Sequence, residues 1–233
     1  MYYIIDTANL DQIRHCVEFN PIDGVTTNPS IISREQSDFP TLIKSIRNII
    51  GPDRMFHIQV TGETCDDIVK EALALNDFIG GNLYIKIPIS MEGLKATALL
   101  HKMGMKITET AIFTQQQALI AAKAGADFVA PYVNRLDNIV SDGVSVVSDI
   151  VKLLDVQGFN NTKVLAASFK TVEQIHKIAL VGAHAVTITA DLYDSLIYHP
   201  LTLYAIDDFN ADWSSVYGKQ SIMKMFEGVN ENK

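Results

Sequence analysis

A lysine interrupts an otherwise apolar run, Leu83-Tyr84-Ile85-Lys86-Ile87-Pro88-Ile89. Burying an ammonium is costly unless it is paired or has a task. Desolvation drives such a group toward the neutral amine, a nucleophile that condenses with ketones and aldehydes to give a Schiff base. The plain alternative is an edge strand with Lys86 facing water. Asp6 could balance the charge of such an amine or hold a substrate hydroxyl; it could equally cap the helix expected to start near Asn9. Gln59 could orient a water, or satisfy a buried backbone group. Thr110 and Tyr132 can exchange protons, Tyr132 directly or through a water held with Thr110 and Gln59. Both are also ordinary strand residues. His57, two positions before Gln59, reads as a core histidine.

A second set could bind an anion. Arg135 offers a planar fork of donors, Ser168 a hydroxyl and Lys170 a flexible charge. Asn28 could add an amide or fix its own loop. Arg135 could instead pair with Asp137. Thr26 and Asn134 are further polar residues at the ends of apolar runs.

Something must bring these scattered residues together. Strand-like runs fall at about 2–6, 22–26, 55–60, 83–88, 105–110, 127–131, 163–168 and 185–189, with helical patterns near 9–19, 39–50, 64–79, 91–102, 115–124, 144–155 and 171–181. Thr64 and Ser90 are suitable N-caps, and Gly104, Gly125 and Gly182 follow their helices as stops. The strands are nearly apolar throughout rather than strictly alternating, as in Phe128-Val129-Ala130, which suits a parallel sheet covered by helices. Eight strand-helix units predict a closed (β/α)8 barrel over 1–200, with its chemistry at the C-terminal ends of the strands. A doubly wound open sheet is the alternative, but no Gly-x-Gly-x-x-Gly follows the first strand. From 201 to 233 the rhythm changes. This C-terminal helical extension is expected to pack on the barrel or on a neighbouring subunit, with a frayed end at 230–233.

The chain has 233 residues, a net charge of -8 and no Lys/Arg cluster, which argues against nucleic-acid binding. Its first residues lack a signal-peptide pattern, and no run is long enough for a membrane span. Cys16 and Cys65 form no metal or redox motif. A cytoplasmic location is expected, as is a small-molecule substrate.

Together, Asp6-Thr7-Ala8, Gly24-Val25-Thr26-Thr27-Asn28-Pro29-Ser30, Lys86-Ile87-Pro88, Ala130-Pro131-Tyr132-Val133-Asn134-Arg135 and Ala166-Ala167-Ser168-Phe169-Lys170 resemble the small transaldolase family. The likeness spans roughly 1–217 and is nearest to the fructose-6-phosphate aldolase branch. The resemblance implies Lys86 as the Schiff-base residue, with Asp6 assisting its charge and proton balance. It implies that Asn28 contacts the dihydroxyacetone part of the substrate, with Thr26 and Asn134 also in the binding site. Arg135 and Ser168 would hold the phosphate of the aldehyde, with Lys170 nearby. It implies no metal or organic cofactor, a cytoplasmic enzyme of carbohydrate metabolism such as the pentose phosphate pathway, and a homo-oligomer, pentamer or decamer, whose terminal helix reaches a neighbour. Transaldolases carry glutamate in place of Gln59 and phenylalanine in place of Tyr132; Gln59, Thr110 and Tyr132 match the aldolase arrangement around a catalytic water. The expected reaction is reversible cleavage of fructose 6-phosphate to dihydroxyacetone and glyceraldehyde 3-phosphate. Alternatives are transaldolase transfer of the dihydroxyacetone unit, an aldolase with another sugar acceptor, or a silent sugar-phosphate-binding barrel. Three departures bear on substrate preference. Glu109 replaces a glycine and is expected to point away from Thr110, yet near the mouth. Phe113 replaces a tyrosine, and Val60-Thr61-Gly62 differs from the usual loop.

Overall fold

In the computed structural model the first 188 residues carry eight parallel strands. They are β1 (Tyr2–Asp6), β2 (Gly24–Thr26), β3 (Met55–Gln59), β4 (Leu83–Pro88), β5 (Ile107–Ile112), β6 (Phe128–Pro131), β7 (Lys163–Ala166) and β8 (Ala185–Ile188). Each pairs with the next, and β1 pairs with β8 from Tyr2↔Ala185 to Ile5↔Ile188, so the sheet closes into a barrel. Closure rules out the open doubly wound sheet. It also leaves no edge strand on which Lys86 could face water. Residues 1–230 are described, with side chains through 227; the expectation for 231–233 lies outside them.

The helices α1 (Leu10–Phe19), α2 (Pro29–Arg34), α3 (Phe39–Ile50), α4 (Cys65–Ile79), α5 (Met91–Lys102) and α6 (Gln115–Ala124) come first. They are followed by α7 (Val133–Asp137), α8 (Gly143–Val156), α9 (Val172–Leu180), α10 (Ala190–Ile197), α11 (Pro200–Tyr217) and α12 (Ile222–Asn230). Local chemistry explains the boundaries. Thr64 and Ser90 accept from the backbone N–H groups of Asp67 and Gly93, as read from sequence. Thr114 and Gln117, then Thr171 and Gln174, close reciprocal capping boxes at the starts of α6 and α9. Gly125 ends α6 at φ 105°, where an added Cβ would lie 2.4 Å from His101 Cγ. The short helices α2, α7 and α10 were not legible as periodic segments, since so few turns leave little pattern to read.

The two faces of each strand separate core from site. Outward residues Val25, Phe56, Ile58, Ile85 and Ile87 pack with Ile43, Ile46, Ile68 and Leu100 of the helices into one cluster. Burying each large aliphatic side chain contributes about 1.5–3 kcal/mol before entropy is charged. Inward, Ile4, Met55, Phe128, Ala130, Leu165 and Ala185 plug the lower barrel. His57 lies above them, fully buried; it stacks on Tyr84 at 4.6 Å and has Nδ1 2.8 Å from Thr108 Oγ1. It is a core histidine, and burial, with Lys86 adding to it, pushes it down to about 3.

The chain divides into two compact units, Met1–Tyr193 and Asp194–Lys233. In the second, His199 caps α11, and Trp213 packs on Tyr217 at 4.6 Å while donating Nε1–H to the Gln220 carbonyl at 3.0 Å. No residue of α11 is buried, and Leu201, Tyr204, Phe209 and Val216 are exposed. Among the described residues no helix is long and apolar enough to cross a membrane.

Candidate active site

The register sets the polar residues around the C-terminal mouth of the barrel. Asp6 lies beside Thr26, Gln59 beside Lys86, Pro88 beside Thr110, and Tyr132 bridges to Ala167. Lys86 is only 4% exposed. Its Nζ donates to the Thr27 carbonyl at 3.2 Å, and among the described residues it makes no ion pair. Thr27, whose carbonyl is that acceptor, was missed by sequence reasoning because a backbone oxygen carries no residue signature.

On one side of the mouth, Thr26 donates to Asp6 Oδ1 at 2.7 Å and is in hydrogen-bond contact with Thr187 Oγ1. Asn9, rather than Asp6, caps α1, accepting from Gln12 N. Thr187 was also missed, although its place in Ala185-Val186-Thr187-Ile188 put it on the inward face. Asn28 accepts from Ile31 N at 3.0 Å and caps α2, so its loop-fixing role is realised. Gln59 is half-buried at the end of β3.

Across the mouth, Thr110 Oγ1 is 3.3 Å from Tyr132 Oη. A register shift between Glu109 and Ile112 bends β5 here, with Ala111 at φ 58°. A non-glycine residue in that region costs roughly 1–3 kcal/mol, and a bulge re-aims its neighbours. Phe113 packs edge-on against the Tyr132 ring, with centroids at 5.6 Å. The Arg135 guanidinium lies over the same ring, 4.9 Å from its centroid. Sequence alone allowed an Arg135–Asp137 pair. The structure does not form it: Asp137 accepts from Gly143 N at 2.9 Å and from Gln174 Nε2 at 2.6 Å.

Ser168 adopts φ 64°, and its carbonyl accepts from Asn134 N at 2.8 Å, which extends the β6–β7 ladder into the loops. Lys170 is exposed two residues before the start of α9. The mouth thus gathers a buried amine, a carboxylate, a hydroxyl–phenol pair and an arginine with Ser168 close by in the fold. An amine that can attack a carbonyl, beside groups that can move protons, is the equipment of Schiff-base chemistry. No group of three or more His, Cys, Asp or Glu among the described residues is placed to hold a metal.

Glu109 departs from expectation in one respect. It does point away from Thr110, but it does not reach the mouth. It is fully buried between β5 and α5, where Thr97 Oγ1 donates to its Oε1 at 2.6 Å and Oε2 has no partner. Burial pushes its carboxyl up to about 7, the Thr97 bond opposing. A cavity of about 750 Å³ opens beside Asn28 and Gln59, walled by Ile32, Phe39, Ile43 and Leu75. Neither Lys86 nor Tyr132 lines it, so it is a lateral apolar cleft and not the place for carbonyl chemistry.

Comparison with known proteins bears on the fold and the family. A solved chain described as "Native KDPGal structure" superposes with a TM-score of 0.58 at 16% identity, covering 85% of this chain and 84% of that one; the likeness shows the barrel fold. A Streptococcus pneumoniae protein named "Probable fructose-6-phosphate aldolase" is 41% identical over 95% of this chain and 100% of its own length. A Streptococcus pyogenes protein named "Probable transaldolase" is also 41% identical, over 92% and 99%. Equal identity to two differently named relatives leaves lyase and transferase undivided. The model of the Transaldolase/Fructose-6-phosphate aldolase family matches residues 3–231, and the chain belongs to that family of Schiff-base enzymes.

Proposed function

We propose that the protein is a metal-independent class I aldolase that cleaves fructose 6-phosphate to dihydroxyacetone and glyceraldehyde 3-phosphate, reversibly. The observation that carries this choice is the Thr110–Tyr132 hydroxyl pair, 3.3 Å apart, at the mouth that holds Lys86. Lys86 as the amine attacks the C2 ketone, and loss of water gives an iminium that can accept an electron pair. Asp6, held by Thr26, balances the charge as it changes. A water associated with Tyr132, Thr110 and Gln59 removes the C4 hydroxyl proton. The C3–C4 bond breaks, glyceraldehyde 3-phosphate departs and an enamine stays on Lys86. Protonation at C3 from the Tyr132 side and addition of water release dihydroxyacetone and the free amine. Asn28 and Asn134 orient the donor end, while Arg135, Ser168 and Lys170 hold the phosphate.

Transaldolase transfer is the second reading, favoured by the equally similar relative of that name. A phenol beside the enamine supports release, because it offers the proton that frees the three-carbon ketone. The test follows free dihydroxyacetone from fructose 6-phosphate with and without erythrose 4-phosphate. Release without the second aldehyde is expected, falling about a hundredfold in Tyr132→Phe. Product only with erythrose 4-phosphate would establish the transferase instead.

The working enzyme on this reading is a homo-oligomer in the cytoplasm. Leu201, Tyr204, Phe209 and Val216 of α11 are exposed apolar side chains that a neighbouring copy would cover. Sedimentation should give a pentamer or decamer; a monomer at micromolar concentration would rule this out.

A further inference from the structure

The two arms of the anion site come from different segments. Arg135 is on α7, whereas Ser168 and Lys170 are on the turn before α9. One side chain joins them. Gln174 Oε1 accepts from Lys170 N at 2.8 Å and from Thr171 N at 3.3 Å, on the Ser168 side. Its Nε2 donates to Asp137 Oδ2 at 2.6 Å and Asn134 Oδ1 at 3.4 Å, on the Arg135 side. A carboxamide has both an acceptor and two donors, so it can staple two segments that each present one kind of partner.

The staple also bears on charge. Gly143 N takes the other Asp137 oxygen at 2.9 Å. Both Asp137 oxygens are therefore engaged by partners other than Arg135, two residues before it. Arg135 forms no ion pair or hydrogen bond among the described residues and rests on the Tyr132 ring instead. Its donors therefore remain available to a dianion.

We propose that Gln174 is a positioning residue that sets Arg135 and Ser168 at the spacing a phosphate monoester requires and keeps Asp137 from neutralising Arg135. The inference rests on the reading that a phosphorylated aldehyde binds there. Gln174 does not touch the reacting atoms; it acts through Asp137, Asn134 and the Lys170–Thr171 backbone. Its substitution should thus change how well the phosphate is held rather than the carbonyl step.

Gln174→Glu separates the bridge from the helix cap. A carboxylate still accepts from the backbone at the start of α9, but it cannot donate to Asp137 and repels it. The measurement is kcat/KM for addition of dihydroxyacetone to glyceraldehyde 3-phosphate and, separately, to unphosphorylated glyceraldehyde. If the protein transfers rather than releases, fructose 6-phosphate as donor with erythrose 4-phosphate and erythrose as acceptors gives the same comparison. The preference for the phosphorylated aldehyde should fall about tenfold, through KM, with the unphosphorylated reaction unchanged. Gln174→Glu combined with Asp137→Asn returns a donor–acceptor pair with its direction reversed and should restore the preference. Equal losses for both aldehydes, or no loss, would overturn the proposal. Arg135→Ala tells its failure from that of the anion site. If Arg135→Ala removes the preference and Gln174→Glu does not, the positioning role alone fails. If Arg135→Ala also leaves the preference intact, the anion site is wrong and the inference falls with it.

Discussion

Lys86 and Glu109 lie on neighbouring strands, are both almost wholly buried, and form no ion pair among the described residues. They face opposite sides of the barrel wall. Lys86 looks inward at the mouth, its Nζ on the Thr27 carbonyl, with Asp6, Gln59 and Tyr132 on the same rim. Glu109 looks outward into the layer under α5, sealed with one hydroxyl and one oxygen that nothing satisfies. A buried ionisable group argues for chemistry only where a substrate can meet it; elsewhere it is a cost that the fold carries.

Two substitutions test that contrast, the larger first. Lys86→Met should remove activity by about a thousandfold or more and abolish the covalent label that borohydride leaves in the presence of ketose. Its stability should hold or rise, since an apolar side chain replaces a buried amine. A label that persists in Lys86→Met would place the Schiff base elsewhere. Glu109→Gln should do the reverse, leaving the rate within about twofold while changing stability.

The direction of that change with pH is fixed. The Glu109 carboxyl titrates near 7 in the fold, against an ordinary value of 4.5. The folded state therefore holds its proton across this window while the unfolded chain has lost it. Stability from this group is full below about 4.5, is lost as pH rises through 7, and is level beyond. The loss is on the order of 3 kcal/mol. Denaturant midpoints at pH 5 and pH 8 should differ in the wild type and differ less in Glu109→Gln. Parallel behaviour of the two proteins would mean that Glu109 finds a partner on ionisation.

Much of this was legible in the residues. Nearly apolar strands, with capped helices between them, specified a parallel sheet covered on its outside, and eight units specified closure. Strand ends then placed Asp6, Lys86, Thr110 and Tyr132 on one rim. The rest lay in what sequence spacing does not encode. The bulge at Ala111 depends on backbone geometry that an alanine does not advertise, since glycine is the usual sign of a positive φ. The Asp137–Gln174 bond joins residues 37 apart, and only the fold brings them together. Glu109 was read correctly in direction from strand alternation. Its depth was not, because a lone glutamate in a strand usually finds water.

The pairing of β1 with β8 has a consequence for how the protein comes to exist. Asp6 sits near the start of the chain, yet its partner Thr26 meets Thr187, 161 residues further on. During synthesis the rim that holds Lys86 stays incomplete until the eighth strand has left the ribosome. Contacts between such distant residues are slow to form, because the loop must close before its energy is gained. The nascent chain spends that interval with an open seam of unpaired strand, where folding is most exposed to capture by another chain.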